Sequence, residues 1–332
     1  MTNMKKYFLL VCISSFLFAT SSNLGVKTFR VHDKNRNRLV TMEVWYPADP
    51  EAKIITTTKT AWEAISEAKN AELVDVNTKY PLIVMSHGNG GDRRSISWIV
   101  NSFIKNNYIV ISVEHFGDTF DYLAPDLFLR AWNRPLDVSF SIDYITKESS
   151  FKDNIDLEKI GFVGYSLGGT TGVWLSGGIA CDFEKLLKRY QFFTRQFPDD
   201  IIESLEYEKS NLSYRDPRIK AFFLMAPSTW GFNYESLNGI DTHMFVIGAE
   251  CDDLLPASTH ARFLASCVKN AEYELIGKNA GHYVFLNCIS DYGRATMDKR
   301  YYADPPTLNR KDIHRYVSRM ANRFFNKHLI KP

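Results

Sequence analysis

The chain has 332 residues, an ordinary apolar content of 45% and a formal charge of +2. That length suits one large α/β domain or two small ones and is enough to bury a sizeable core. The near-neutral charge gives no support for nucleic-acid binding or for strong attraction to an anionic membrane.

At the N-terminus, Lys5 and Lys6 precede an apolar stretch from Tyr7 to Ala19, followed by Thr20, Ser21 and Ser22. A basic start, an apolar segment too short to cross a bilayer and small residues after it predict a signal peptide over residues 1–21, cut before Ser22. The mature chain is then exported, to the periplasm or outside the cell. Cys12 does not mark lipid attachment, because Leu9-Leu10-Val11 sets a bulky valine where such a signal needs a small residue. Four cysteines remain after cleavage: Cys181, Cys251, Cys267 and Cys288. Export permits disulfides among them, with Cys267–Cys288 one candidate pair.

Residues 22–332 are expected to form a single domain. Lys27 to Tyr46 alternates in the manner of an antiparallel hairpin. The polar stretch from Pro47 to Lys79 reads as an insertion with a short helix over Ala61–Ala68. Strands and helices then alternate. The expected strands are Leu82–His87, Tyr108–Val113, Ile160–Gly164, Ile219–Met225, Met244–Gly248 and Glu272–Ile276. The expected helices are Ser95–Asn106, Pro135–Lys147, Leu167–Ser176, Ala257–Val268 and Asp312–Lys327. Such alternation makes an α/β fold, with a mostly parallel sheet covered by helices on both faces.

Chemistry-bearing residues fall at the ends of these strands. The first strand runs into His87-Gly88-Asn89-Gly90-Gly91, a glycine-rich turn that can offer the Asn89 backbone N–H to an oxyanion, with His87 bracing the loop. His115 follows the next strand and could line the site. Ile160–Gly164 runs directly into Gly164-Tyr165-Ser166-Leu167-Gly168, the Gly-x-Ser-x-Gly pattern of a tight strand-to-helix turn that projects a serine hydroxyl. Gly164 and Gly168 lack the side chains that would clash where strand and helix close together. The helix aims its free N–H groups at the serine, that of Leu167 first.

Residues 177–218 make too long a connection for a compact domain, and we read them as a helical cap over the site, with helices near Phe183–Phe193 and Ile201–Glu208. An aromatic face on the first of these could line an acyl pocket or touch a lipid surface transiently. A serine hydroxyl needs a base, and the base needs an orienting acid. After the strand Met244–Gly248 three acids compete: Asp252 is preferred because it lies on the turn before Pro256, with Asp253 and then Glu250 behind it. His282 follows the last strand on a loop opened by Gly281, in the chain order serine, acid, histidine. His314 and His328 fall on a C-terminal helix and read as surface residues; His32 and His260 carry no motif. No Cys/His spacing resembles a zinc site and there is no phosphate-binding loop, so no metal and no cofactor is expected.

Taken together, Tyr80–Gly88, Val113-Glu114-His115, Gly164–Gly169, Asp216–Ala221, Ala226-Pro227 and Ala280–Leu286 resemble the platelet-activating-factor acetylhydrolase family and its bacterial relatives, often called predicted dienelactone hydrolases. The resemblance runs from about Val40 to the C-terminus. It implies an α/β-hydrolase fold and metal-free ester hydrolysis, with Ser166 as nucleophile, Asp252 as acid, His282 as base, and Asn89 and Leu167 as oxyanion donors. Dienelactone hydrolases proper use a cysteine where this chain has Ser166. The substrate implied is a small-molecule or lipid ester: either short- to medium-chain carboxylic esters, or phospholipids with short or oxidised sn-2 chains. An amidase, or a non-catalytic binding protein on the same scaffold, is the competing reading.

Overall fold

The computed structural model describes residues 22–58, 60–181, 183–185 and 198–331. Strands β1 (Asn23–Asp33) and β2 (Arg38–Ala48) form the expected antiparallel hairpin, followed by β3 (Ile55–Thr56) and β4 (Ser66–Lys69). The parallel part is β5 (Tyr80–Ser86), β6 (Ile109–Glu114), β7 (Ile155–Tyr165), β8 (Ile219–Met225), β9 (His243–Ala249) and β10 (Ala271–Ile276). Among the described residues, ten strands share one sheet in the order β10-β9-β8-β7-β5-β6-β2-β1-β4-β3. From β10 through to β6 every neighbouring pair is parallel, and β2 joins β6 antiparallel.

The helices that matter for the site are α1 (Val100–Ile104), α2 (Pro125–Phe128), α3 (Asn133–Lys147) and α4 (Leu167–Ser176). Alternate residues of each central strand feed opposite cores. Leu82 and Val84 of β5 pack with Val138 and Ile142 of α3 and Trp174 of α4. Ile83 and Met85 pack on the other face with Phe103 of α1 and with Val317 and Phe325 of the C-terminal helix Arg310–Phe325. Burying one such large apolar side chain is worth roughly 1.5–3 kcal/mol, which is why uninterrupted apolar strands settle in the middle of a doubly covered sheet.

Several expectations are corrected. The helix expected over Ala61–Ala68 is absent: its last residues form β4, which lies parallel to β1 and antiparallel to β3. Glu67 is the reason, since its buried carboxylate accepts from Trp45 Nε1 at 2.7 Å and from the Arg94 guanidinium. Helix Ile201–Glu208 is replaced by the short helix Asp199–Glu203 and a 3-10 turn, Tyr207–Asn211. Most of the first expected cap helix lies outside the described residues, as does the expected signal peptide. Cys267 and Cys288 carry free thiols, so the suggested pair does not form. His314 is buried rather than exposed: it stacks on Trp98 with ring centroids 4.1 Å apart and bonds the Val284 carbonyl at 3.0 Å. His328 is half-buried against His243.

Candidate active site

Chain order reverses at β5, whose two neighbours, β7 and β6, are reached in opposite directions across the sheet. Ligand crevices in open parallel sheets form at the carboxyl ends of the strands beside such a reversal. Ser86 of β5 is level with Gly164 of β7, so the glycine loop after β5 and the serine after β7 emerge side by side.

Ser166 sits between β7 and α4 with φ 56° and ψ −116°, a strained conformation for a residue with a side chain. Its N–H is held by the Met225 carbonyl at 2.9 Å. The turn closes because two side chains are missing. A methyl group at Gly164 would lie 2.3 Å from the Gly168 carbonyl oxygen, and one at Gly168 only 2.0 Å from the Ser86 carbonyl oxygen. Leu167 opens α4, so its N–H is one of those the helix cannot satisfy internally. On the facing loop Gly88 abuts the serine: a methyl there would stand 3.2 Å from Ser166 Cβ. Asn89, the next residue, is exposed.

The loops after β9 and β10 are tied to one another before they reach the serine. Cys251 N–H donates to the Ala280 carbonyl at 2.8 Å, and Asn279 N–H to the Glu250 carboxylate at 2.9 Å. This fixes Glu250 as a strut of the histidine loop. Asp253 is exposed, whereas Asp252 is buried. One oxygen of Asp252 accepts from the N–H groups of Leu254 and Leu255, at 3.1 and 2.7 Å; the other lies 2.7 Å from His282 Nδ1. An ionised carboxylate only accepts, so this contact puts the proton on Nδ1 and leaves Nε2 as an acceptor. His282 Nε2 lies 3.0 Å from Ser166 Oγ. The buried Tyr165 hydroxyl donates to the His282 carbonyl at 3.1 Å and anchors the backbone of the same histidine. The structure therefore brings Ser166, His282 and Asp252 into one line of hydrogen bonds, able to draw a proton off the serine.

Behind this line stands a second serine–histidine–aspartate set. Ser86 Oγ lies 2.8 Å from His115 Nε2, and His115 Nδ1 lies 3.0 Å from Asp137. All three are fully buried, and Arg38 also grips Asp137 through two bonds of 2.8 and 2.9 Å. Burial, with the Arg134 charge adding to it, pushes the His115 imidazole down to about 3. This set is enclosed in the protein and cannot meet a substrate; His115 supports the loop from behind instead of lining the site. His87 does brace the loop, through Nδ1 to the Gly88 carbonyl at 2.7 Å.

Sequence reasoning missed His260. It is buried beside the site, with Nδ1 accepting from the N–H and the hydroxyl of Thr229 at 3.2 and 3.0 Å. Burial pushes it down to about 4 against the opposing pull of Asp252, so it stays neutral beside the site. Nothing local in its sequence announces this. A hollow of about 280 Å³ lined by Glu43, Trp62, Arg93 and Arg94 does not include Ser166 in its wall.

Sheet order, the strand-to-helix turn and the loops at the strand ends define an α/β-hydrolase fold. A ferulic acid esterase from Streptomyces cinnamoneus superposes with a TM-score of 0.67 over 95% of this chain and 92% of its own, at 16% identity, a likeness of fold alone. The model of platelet-activating factor acetylhydrolase, isoform II, matches residues 50–119, which span β5, the glycine loop and β6. A cutinase, Est1 of Thermobifida alba, is 25% identical over 211 residues, 62% of this chain. The chain spans 55% of the length of that cutinase. The fold is thus that of the α/β-hydrolases, and over residues 50–119 the chain is similar to the platelet-activating factor acetylhydrolase family.

Proposed function

We propose that this chain is a serine hydrolase of carboxylic esters. The observation that carries the reading is the unbroken line Ser166 Oγ, His282, Asp252 set beside the glycine loop. Ser166 attacks the acyl carbonyl while His282 Nε2 takes its proton. Asp252 holds the tautomer and stabilises the imidazolium. The N–H groups of Leu167 and Asn89 receive the oxyanion. The alcohol leaves with the proton from His282, and water activated by the same histidine releases the acid.

The substrate we propose is a short- to medium-chain ester, consistent with relatives named as a cutinase and a ferulic acid esterase. A phospholipid with a short sn-2 chain is the second reading, favoured by one feature. Phe120, Tyr122 and Leu123 are each more than half exposed on a loop whose Phe120 N–H meets the Gly91 carbonyl at 3.3 Å. That puts apolar surface beside the glycine loop, where a lipid interface would be met. Residues 177–218 are proposed as the cap, and residues 1–21 as a signal peptide that exports the enzyme.

Hydrolysis of 4-nitrophenyl esters from acetyl to palmitoyl, by the mature chain beside Ser166→Ala, tests the proposal. A short-chain optimum abolished in the variant is expected. Turnover surviving in folded Ser166→Ala would remove the mechanism, and activity confined to phospholipid vesicles would select the second reading.

A further inference from the structure

We infer that Arg134 is a positioning residue that presets the oxyanion hole from behind, through the peptide joining Gly88 to Asn89. The inference rests on the proposed role of Asn89 as an oxyanion donor. Arg134 belongs to α3 and its side chain is 2% exposed. Its guanidinium does not face solvent or substrate; it spreads over the back of the glycine loop. Nη1 donates to the His87 carbonyl at 2.7 Å and Nη2 to the Gly88 carbonyl at 3.1 Å. Nε donates to Asp118 at 2.9 Å, and the other oxygen of Asp118 accepts from Gly90 N–H at 2.8 Å. One buried ion pair thus grips the loop on both sides of Asn89.

The Gly88 carbonyl and the Asn89 N–H are two ends of one planar peptide, and in the trans form they point in opposite directions. Three donors converge on that carbonyl: Arg134 Nη2, His87 Nδ1 at 2.7 Å and Gly91 N–H at 3.2 Å. Fixing the carbonyl fixes the direction of the N–H. A full positive charge on the oxygen also draws electrons along the peptide and makes the N–H a stronger donor. His87 is locked in the matching tautomer, since its Nε2 accepts from the His115 N–H at 3.2 Å and its proton must then sit on Nδ1. Catalysis of this kind depends on donors that need no reorganisation when charge develops. Arg134, Asp118 and His87 supply that rigidity here, and none of them touches the reacting atoms.

The test compares wild type, Arg134→Lys, and the charge-balanced pair Arg134→Gln/Asp118→Asn, which keeps an acceptor for Gly90 and leaves no lone buried charge. Each is assayed on 4-nitrophenyl acetate and on its thiono analogue, whose sulfur is a weak acceptor and gains little from an oxyanion hole. The expected result is a fall in kcat of about 10- to 100-fold on the oxygen ester, smaller than complete loss of a donor. KM should change less than twofold, and the thiono ester should lose much less, so the oxygen-to-sulfur rate ratio drops. Equal losses on both esters in folded variants, or no loss in kcat, would overturn the inference, because a merely structural role lowers both alike. Wild-type turnover that is absent, or that survives in Ser166→Ala, would instead sink the reading on which the inference rests.

Discussion

At the scale of single residues, the site turns on which of three neighbouring acids serves the histidine. Only Asp252 combines burial, two backbone donors and a 2.7 Å contact with His282 Nδ1. Asp252→Asn is therefore expected to lower kcat by about 10³- to 10⁴-fold, since the amide no longer fixes the tautomer. Asp253→Asn, at an exposed position, should stay within about twofold of wild type. Steady-state kinetics on one soluble ester decides it, and the reverse ranking would reassign the acid. Ser166, His282 and Asp252 are legible in sequence because each is bound to a local rule: a turn that demands two glycines, a loop after a strand, an acid on the turn before Pro256. Arg134 and His260 obey no such rule. Their partners are the backbones of loops distant in sequence, the His87–Gly88 peptides and Thr229, so only the folded chain reveals them.

At the scale of elements, the contrast between β7 and β4 shows where sequence reading works. β7 carries its own instruction, an apolar run followed by a turn only glycines allow. β4 reads Ser-Glu-Ala-Lys, a set that favours a helix when considered alone. It becomes a strand because β1 and β3 offer it backbone partners and because Glu67 is drawn inward by Trp45 and Arg94. Propensity is weak beside such pairing. The C-terminal helix shows the same limit: its period is legible, but His314 is buried by Trp98, which comes from another part of the chain. The strand-to-helix turn yields a direct prediction. Gly168→Ala drives a methyl group into the Ser86 and His87 carbonyls, at 2.0 and 2.8 Å, and backbone cannot swing aside as a side chain can. A loss of about 2–3 kcal/mol in denaturant unfolding is expected. An unchanged midpoint would mean that strand and helix do not close as described.

At the scale of the whole molecule, buried neutral histidines tie stability to pH. Burial holds His115 and His314 down to about 3 and His260 to about 4. In the unfolded chain these imidazoles return to about 6.5, so between those limits the unfolded state binds more protons. Stability is then fully present above about 6.5 and is lost as pH falls toward 3–4, by up to about 1.4 kcal/mol per pH unit for each histidine. Asp137 adds to the loss at lower pH: burial would raise its carboxyl, but His115 and Arg38 outweigh burial and hold it below the usual range. The denaturant midpoint should therefore fall between pH 7 and pH 5, and His314→Gln should flatten the fall. A midpoint that does not move over that interval would show that these histidines are not held neutral.

In the proposed mechanism Ser166, and no other serine, is activated for attack. Its most direct test is intact-protein mass spectrometry after treatment with an alkyl fluorophosphonate, with peptide mapping of the adduct. One adduct per chain is expected, on Ser166, absent from Ser166→Ala and never on Ser86 despite its own histidine and aspartate. An adduct on another residue, or an unlabelled folded wild type, would contradict it.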